Sequence, residues 1–174
     1  MSSLRGRHIY LPVLFGVLTP SLVIFILEVS VGHISPVRAC AGILERQFAG
    51  GHNLFLLMAF GLIPFAVLIG LMVLVALKIG GTRLDCIFFG GLAAILIVMV
   101  PGHVAVWYPL YGGGHMSSTA VVAFLFIPFF CIPPMAVGMA AGWAISLLPF
   151  FRRQAPSARA AFHPSDPQDS RSPM

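Results

Sequence analysis

Charge is what this sequence has least of. Only 9% of its 174 residues are Asp, Glu, Lys or Arg, and 59% are hydrophobic, against about 25% charged in an ordinary soluble domain. A buried core under a charged surface is excluded by those proportions. Other things are scarce as well. There are 3 cysteines, Cys40, Cys86 and Cys131, and no C-x-x-C, which argues against a thiol-oxidising membrane enzyme. No G-x-S-x-G, no H-E-x-x-H and no paired intramembrane aspartates occur, so the familiar hydrolase signatures are missing. No internal repeat suggests an inverted pair of halves.

What the chain does have is long apolar runs. A hydrocarbon layer about 30 Å thick takes about 20 residues of helix at 1.5 Å each. Four segments meet that length, at about 9–30, 54–78, 86–107 and 118–149. The expected fold class is therefore an all-α membrane protein, a four-transmembrane-helix bundle. It is flanked by an N-terminus over 1–8 and a disordered tail over 152–174, where Pro156, Pro164, Pro167 and Pro173 lie among Ser, Ala and charges. The fourth run carries Pro128 and the pair Pro133, Pro134, so either one kinked helix or a re-entrant hairpin fits it.

Positive charge decides the expected orientation. Arg5, Arg7, Lys78, Arg83, Arg152, Arg153, Arg159 and Arg171 fall on one side, and only Arg38 and Arg46 on the other. Cytoplasmic flanks retain Lys and Arg, so both termini are expected inside, with a bacterial inner membrane as the expected location. A hairpin would export the four arginines of the tail, which favours the single kinked helix. A signal peptide is disfavoured for the first run, because its apolar stretch is too long and Ala39-Cys40-Ala41 lies too far beyond it.

In the first outer connection Ser35 suits an N-cap and Pro36 a first helical position. Val37, Ala41, Leu44 and Phe48 then share one face while Arg38, Glu45 and Arg46 lie off it, the pattern of a short interfacial helix. The second connection, Gly80 to Asp85, suits a tight turn. In the third, Gly112, Gly113 and Gly114 precede Ser117, Ser118 and Thr119, residues that suit the capping of a fourth helix.

Candidate functional residues follow from this map. His33, His52, His103 and His115 all fall on the outer side and make a candidate metal or haem set, since neutral imidazole is a common metal ligand. Their spacing does not pre-form a site, and outer connections that exclude Lys and Arg would collect histidine anyway. Glu28 is the one carboxylate inside the four apolar runs. Its depth suits pairing with an arginine of the first connection, with proton relay as the alternative. Pro134, Gly138, Gly142 and Ser146 recur every four residues and form a ridge for close helix packing, within the chain or between copies. Pro20, Pro64 and Pro128 allow bends in three spans.

The leading functional expectation is a non-catalytic accessory, assembly, immunity-type or effector component. It would act through contacts in the bilayer with a membrane-protein partner or a second copy, without a cofactor and without nucleic acid. A metal- or haem-binding redox protein using the outer histidines is the second expectation, and a small transporter or oligomeric pore the third.

Overall fold

The structure is a computed structural model and describes residues 6–46, 54–113 and 118–148. Seven helical segments follow one another: α1 (Arg7–Ser30), α2 (Pro36–Glu45), α3 (Leu54–Gly61), α4 (Ile63–Ala76), α5 (Thr82–Tyr111), α6 (Ser118–Phe130) and α7 (Ile132–Ser146). No strand occurs among the described residues. They make four spans, because two of the breaks are interruptions inside a continuing helix. Between α3 and α4, Leu62 keeps right-handed helical angles, and the Ala66 amide donates to its carbonyl at 2.8 Å. Pro64 has no amide to donate, which explains the local break.

Proline has the same effect in the fourth span. Pro133 and Pro134 each remove one backbone donor, yet the Cys131 amide reaches the Ile127 carbonyl at 3.2 Å and the Met135 amide reaches the Cys131 carbonyl at 3.0 Å. The chain keeps its direction through Cys131, so α6 and α7 form one kinked crossing and no hairpin. The third span exceeds its expected limits at both ends. At 30 residues it is about 45 Å long. Its start is set by Gly81, whose φ of 64° and ψ of −146° suit a residue without a Cβ.

This long helix is the centre of the bundle and touches α1, α4, α6 and α7. The starts of α1 and α5 meet through Arg7, His8 and Asp85, and the end of α7 meets the start of α5 at Gly142 and Cys86. The ends of α1 and α5 meet through Glu28 and Tyr111. Neighbouring spans therefore alternate in direction. One end of the bundle carries Arg7 and Asp85, and the opposite end carries Glu28, Arg46 and Tyr111.

The apolar interior has two parts. Phe65, Leu68, Met72, Leu84, Phe88, Ile95, Met99, Cys131 and Met135 fill the first. Val23, Ile24, Leu27, Leu54 and Trp107 fill the second, towards the Glu28 end. The outside is apolar too, with Leu22, Ile26, Phe126, Phe130, Val137 and Trp143 exposed. Helices that are hydrophobic all round are what lipid contact requires, and four of the helices are long and apolar enough to cross a membrane.

The short helix α2 follows Ser35, which has extended backbone angles but no capping bond from its side chain. Its buried residue is Ala39, with Ile43 half-buried beside it. Val37 and Leu44 are 80% and 72% exposed, so the apolar face read from the sequence turns away from the bundle. Phe48, the last residue of that pattern, lies outside the described residues.

Candidate functional site

Polar side chains within the spans are few, and their placement is uneven along α5. On its inward side Leu84, Phe88, Leu92, Ile95 and Met99 are buried and apolar. The next positions at the same spacing are His103, Trp107 and Tyr111, each four residues after the last. Side chains four apart stack on one helix face. The inward stripe of α5 thus changes from apolar to polar at His103 and continues so to the Glu28 end.

At that end three side chains from separate segments converge. Arg46 Nη2 lies 2.5 Å from Glu28 Oε1, and the Tyr111 hydroxyl donates to the same oxygen at 3.2 Å. Arg46 Nη1 reaches the Tyr111 oxygen at 3.5 Å, a weak contact. Glu28 is 1% exposed, and a carboxylate so placed needs a cation beside it. Burial opposes the charge of Arg46, but its hydrogen bonds and Coulomb attraction to Glu28 and Tyr111 prevail and raise its pKa above the ordinary guanidinium value. Chain geometry makes this convergence possible. His33 takes a positive φ of 50°, the Ile34 amide bonds to the Glu28 carbonyl at 3.0 Å, and the reversal brings the end of α2 back over α1.

Deeper along the stripe the groups are unpaired. His103 is 2% exposed and Trp107 6%. Neither His103 ring nitrogen has a hydrogen-bond partner, nor does Trp107 Nε1, nor the second Glu28 oxygen, Oε2. Phe124 covers both rings, with centroids 6.0 Å from His103 and 5.0 Å from Trp107. Buried polar atoms are overwhelmingly paired with protein or water, so two residues of the α5 stripe and Glu28 of α1 at its end, all with orphaned atoms, form the most unusual feature of the described residues.

The Arg7 end is built differently. Asp85 Oδ1 lies 2.5 Å from Arg7 Nη2 and 2.9 Å from His8 Nε2. His8 is 1% exposed, and its ring stands edge-on to Phe88 at 4.8 Å. This cluster ties the start of α1 to the start of α5.

The other candidates are scattered. His33 is exposed, and His52 and His115 lie outside the described residues, as do Gly114 and Ser117. Among the described residues no three His, Cys, Asp or Glu side chains group closely enough to hold a metal. Cys40, Cys86 and Cys131 are free. The ridge of Pro134, Gly138, Gly142 and Ser146 faces α5 in part. A Cβ on Gly138 would collide with the Gly90 carbonyl, and one on Gly142 with the Cys86 carbonyl. Ser146 is buried and its hydroxyl donates to the Trp143 carbonyl at 2.6 Å. Pro134 and Gly138 also border an open apolar groove with Ala94, Ile97, Val98, Pro133 and Val137.

Two groupings were readable in outline but not assembled from the sequence. His103, Trp107 and Tyr111 carry a plain i, i+4, i+8 signal. His8 and Asp85 share the end predicted to be cytoplasmic, although nothing local marks them as a pair. Fold and site together define a multi-pass, four-span helical membrane bundle with a polar stripe at one end. No protein-family model matches the sequence, and comparison with curated proteins and with solved structures gave no match either.

Proposed function

We propose that this protein is a non-catalytic accessory component of a membrane assembly, working through contacts with a membrane-protein partner or a second copy of itself. Its place is the inner membrane of a bacterium, with both termini in the cytoplasm. One observation carries the reading. The inward face of α5 from Leu84 to Met99 is apolar throughout, packed against Phe65, Leu68 and Met72, so no polar path crosses the bundle there. The ion pairs at both ends join helix to helix. Transport and turnover need polar groups along a route, and among the described residues the buried charged side chains and histidines lie towards the two ends, with Thr19 and Ser21 of α1 the polar side chains between them.

The test is site-specific photo-crosslinking in native membranes, with the probe at the lipid-facing positions Phe130 and Val137. The expected result is one discrete protein adduct in stoichiometric yield. Adducts to lipid alone from every exposed position overturn the proposal. Orientation is tested separately by cysteine labelling in intact cells: residue 113 is expected to react from outside and a tail position only after lysis. Reaction of both from outside refutes the cytoplasmic placement.

A second reading, metal or haem binding through His33, His52, His103 and His115, draws support from the unpartnered ring nitrogens of His103. A ligating imidazole ordinarily gives its other N–H to an acceptor, and no described residue supplies one to His103. The described residues supply one such group, short of the three or four ligands of a protein metal site. Metal analysis and haem absorbance of the purified protein decide this. Stoichiometric metal that is lost on replacing His52 and His115 would establish it, and metal-free protein without haem absorbance would remove it.

A further inference from the structure

The polar stripe of α5 ends in groups that the ion pair at the Glu28 end does not satisfy. His103 offers one donor and one acceptor, Trp107 one donor, and Glu28 Oε2 one acceptor, all buried and without a partner. Donors and acceptors balance; His103 and Trp107 share one face of α5, and Glu28 of α1 joins that face at Tyr111, eight positions or about 12 Å beyond His103. Leaving an amide-like group dry and unbonded is costly, whereas a bridging water satisfies two or more groups at little entropic cost. Below His103 the same face presents Met99 and Ile95, both 0% exposed, and neither side chain offers water a partner. Among the described residues the charged and titratable groups facing the stripe are Glu28 from α1, Arg46 at the end of α2 and Tyr111 on α5 itself. Val23, Ile24 and Leu27 of α1, Leu54 and Leu57 of α3 and Phe124 of α6 are among the described side chains packed about it.

We propose that His103, Trp107, Tyr111 and Glu28 line a blind inlet that admits water from the Glu28 end of the bundle and stops at His103. Its ligand class is water and solutes of similar size that both donate and accept hydrogen bonds. The inlet puts an imidazole that lies inside a membrane span in contact with solution on one side only. It stands independently of the metal reading, because bridging water needs no second histidine.

Hydrogen–deuterium exchange of the whole chain in lipid nanodiscs tests this. The probe is D2O, the label is ¹⁵N in the tryptophan indoles and backbone, and Trp143→Phe leaves Trp107 as the only indole. Trp107 Nε1–H is expected to exchange at least a hundredfold faster than the Ile95 and Met99 amides. The His103→Leu variant is expected to slow Trp107 exchange at least tenfold, since the inlet then lacks its polar terminus. Trp107 as protected as Met99 overturns the inlet, and equally fast exchange at Ile95, Met99 and Trp107 overturns its blind end. Unchanged Trp107 exchange in a folded His103→Leu variant also overturns it, and a variant that does not fold leaves the comparison of Trp107 with Met99 decisive.

Discussion

Replacing Arg46 by Met is the sharpest test of how the Glu28 end is held. The substitution keeps the aliphatic reach of the side chain and removes the cation, leaving Glu28, 1% exposed, with Tyr111 as its remaining partner at 3.2 Å. Breaking a fully buried pair from one side costs about 3–5 kcal/mol. The Arg46 side chain is 37% exposed, so solvent screens part of the attraction and the expected loss is about 2 kcal/mol. Glu28→Gln removes the buried charge instead and keeps an acceptor for Tyr111, with an expected cost of about 1 kcal/mol. The double variant is expected to be more stable than Arg46→Met alone, because the uncompensated carboxylate has gone. Reversible unfolding in mixed detergent micelles measures all three. Arg46→Met within about 0.5 kcal/mol of the parent, or a double variant less stable than Arg46→Met, would refute the argument. The pH behaviour supplies a second check. The Arg46 pKa is raised on folding, so its contribution is complete below the unfolded value and is lost only as pH rises through the folded one. Its share of stability is therefore expected to stay flat across neutral and mildly alkaline solution and to vanish only in strong alkali. A loss of that share between about pH 7 and 9 would contradict the assignment.

Two further predictions concern packing. Gly138→Val and Gly142→Val force a side chain onto the backbone carbonyls of Gly90 and Cys86, and each is expected to destabilise by about 3 kcal/mol or to part α7 from α5. Gly70, which has open space where a Cβ would go, is the control, and Gly70→Ala is expected to stay within about 0.5 kcal/mol of the parent in the same unfolding assay. Asp85→Asn weakens the contacts to Arg7 and His8 and is expected to cost about 1 kcal/mol, with earlier hydrogen exchange in the first turns of α1 than in the parent.

How much of this was legible in the sequence depends on the range of the physics involved. The spans were readable because membrane hydropathy is a sum over neighbours, and the run from Cys86 to Val100 needs no knowledge of the rest of the chain. The short helix after Ser35 was readable for the same reason, through Pro36 and a four-residue period. Its orientation was not, because only tertiary contacts reveal that Ala39 and Ile43 face the bundle. The partner of Glu28 was narrowed to Arg38 or Arg46 by topology, and the backbone reversal at His33 favours Arg46. Tyr111 lies 83 residues from Glu28, beyond any local pattern. The histidines were grouped by side of the membrane, a coarse coordinate that says nothing of depth. His33 is exposed and His103 buried, a difference that only packing around α5 produces.

The length of α5 has a last consequence. At about 45 Å it is longer than the hydrocarbon layer it crosses, and Tyr111 at its tip holds Glu28 and Arg46 at a fixed height. Bilayer thickness is therefore expected to act on that end of the molecule. A thicker membrane would draw the guanidinium and carboxylate towards the acyl chains, while a thinner one would tilt the helix and leave them among headgroups. Lipid chain length should thus tune the stability of this one corner more than that of the glycine seam between α5 and α7, which lies towards the opposite end of α5.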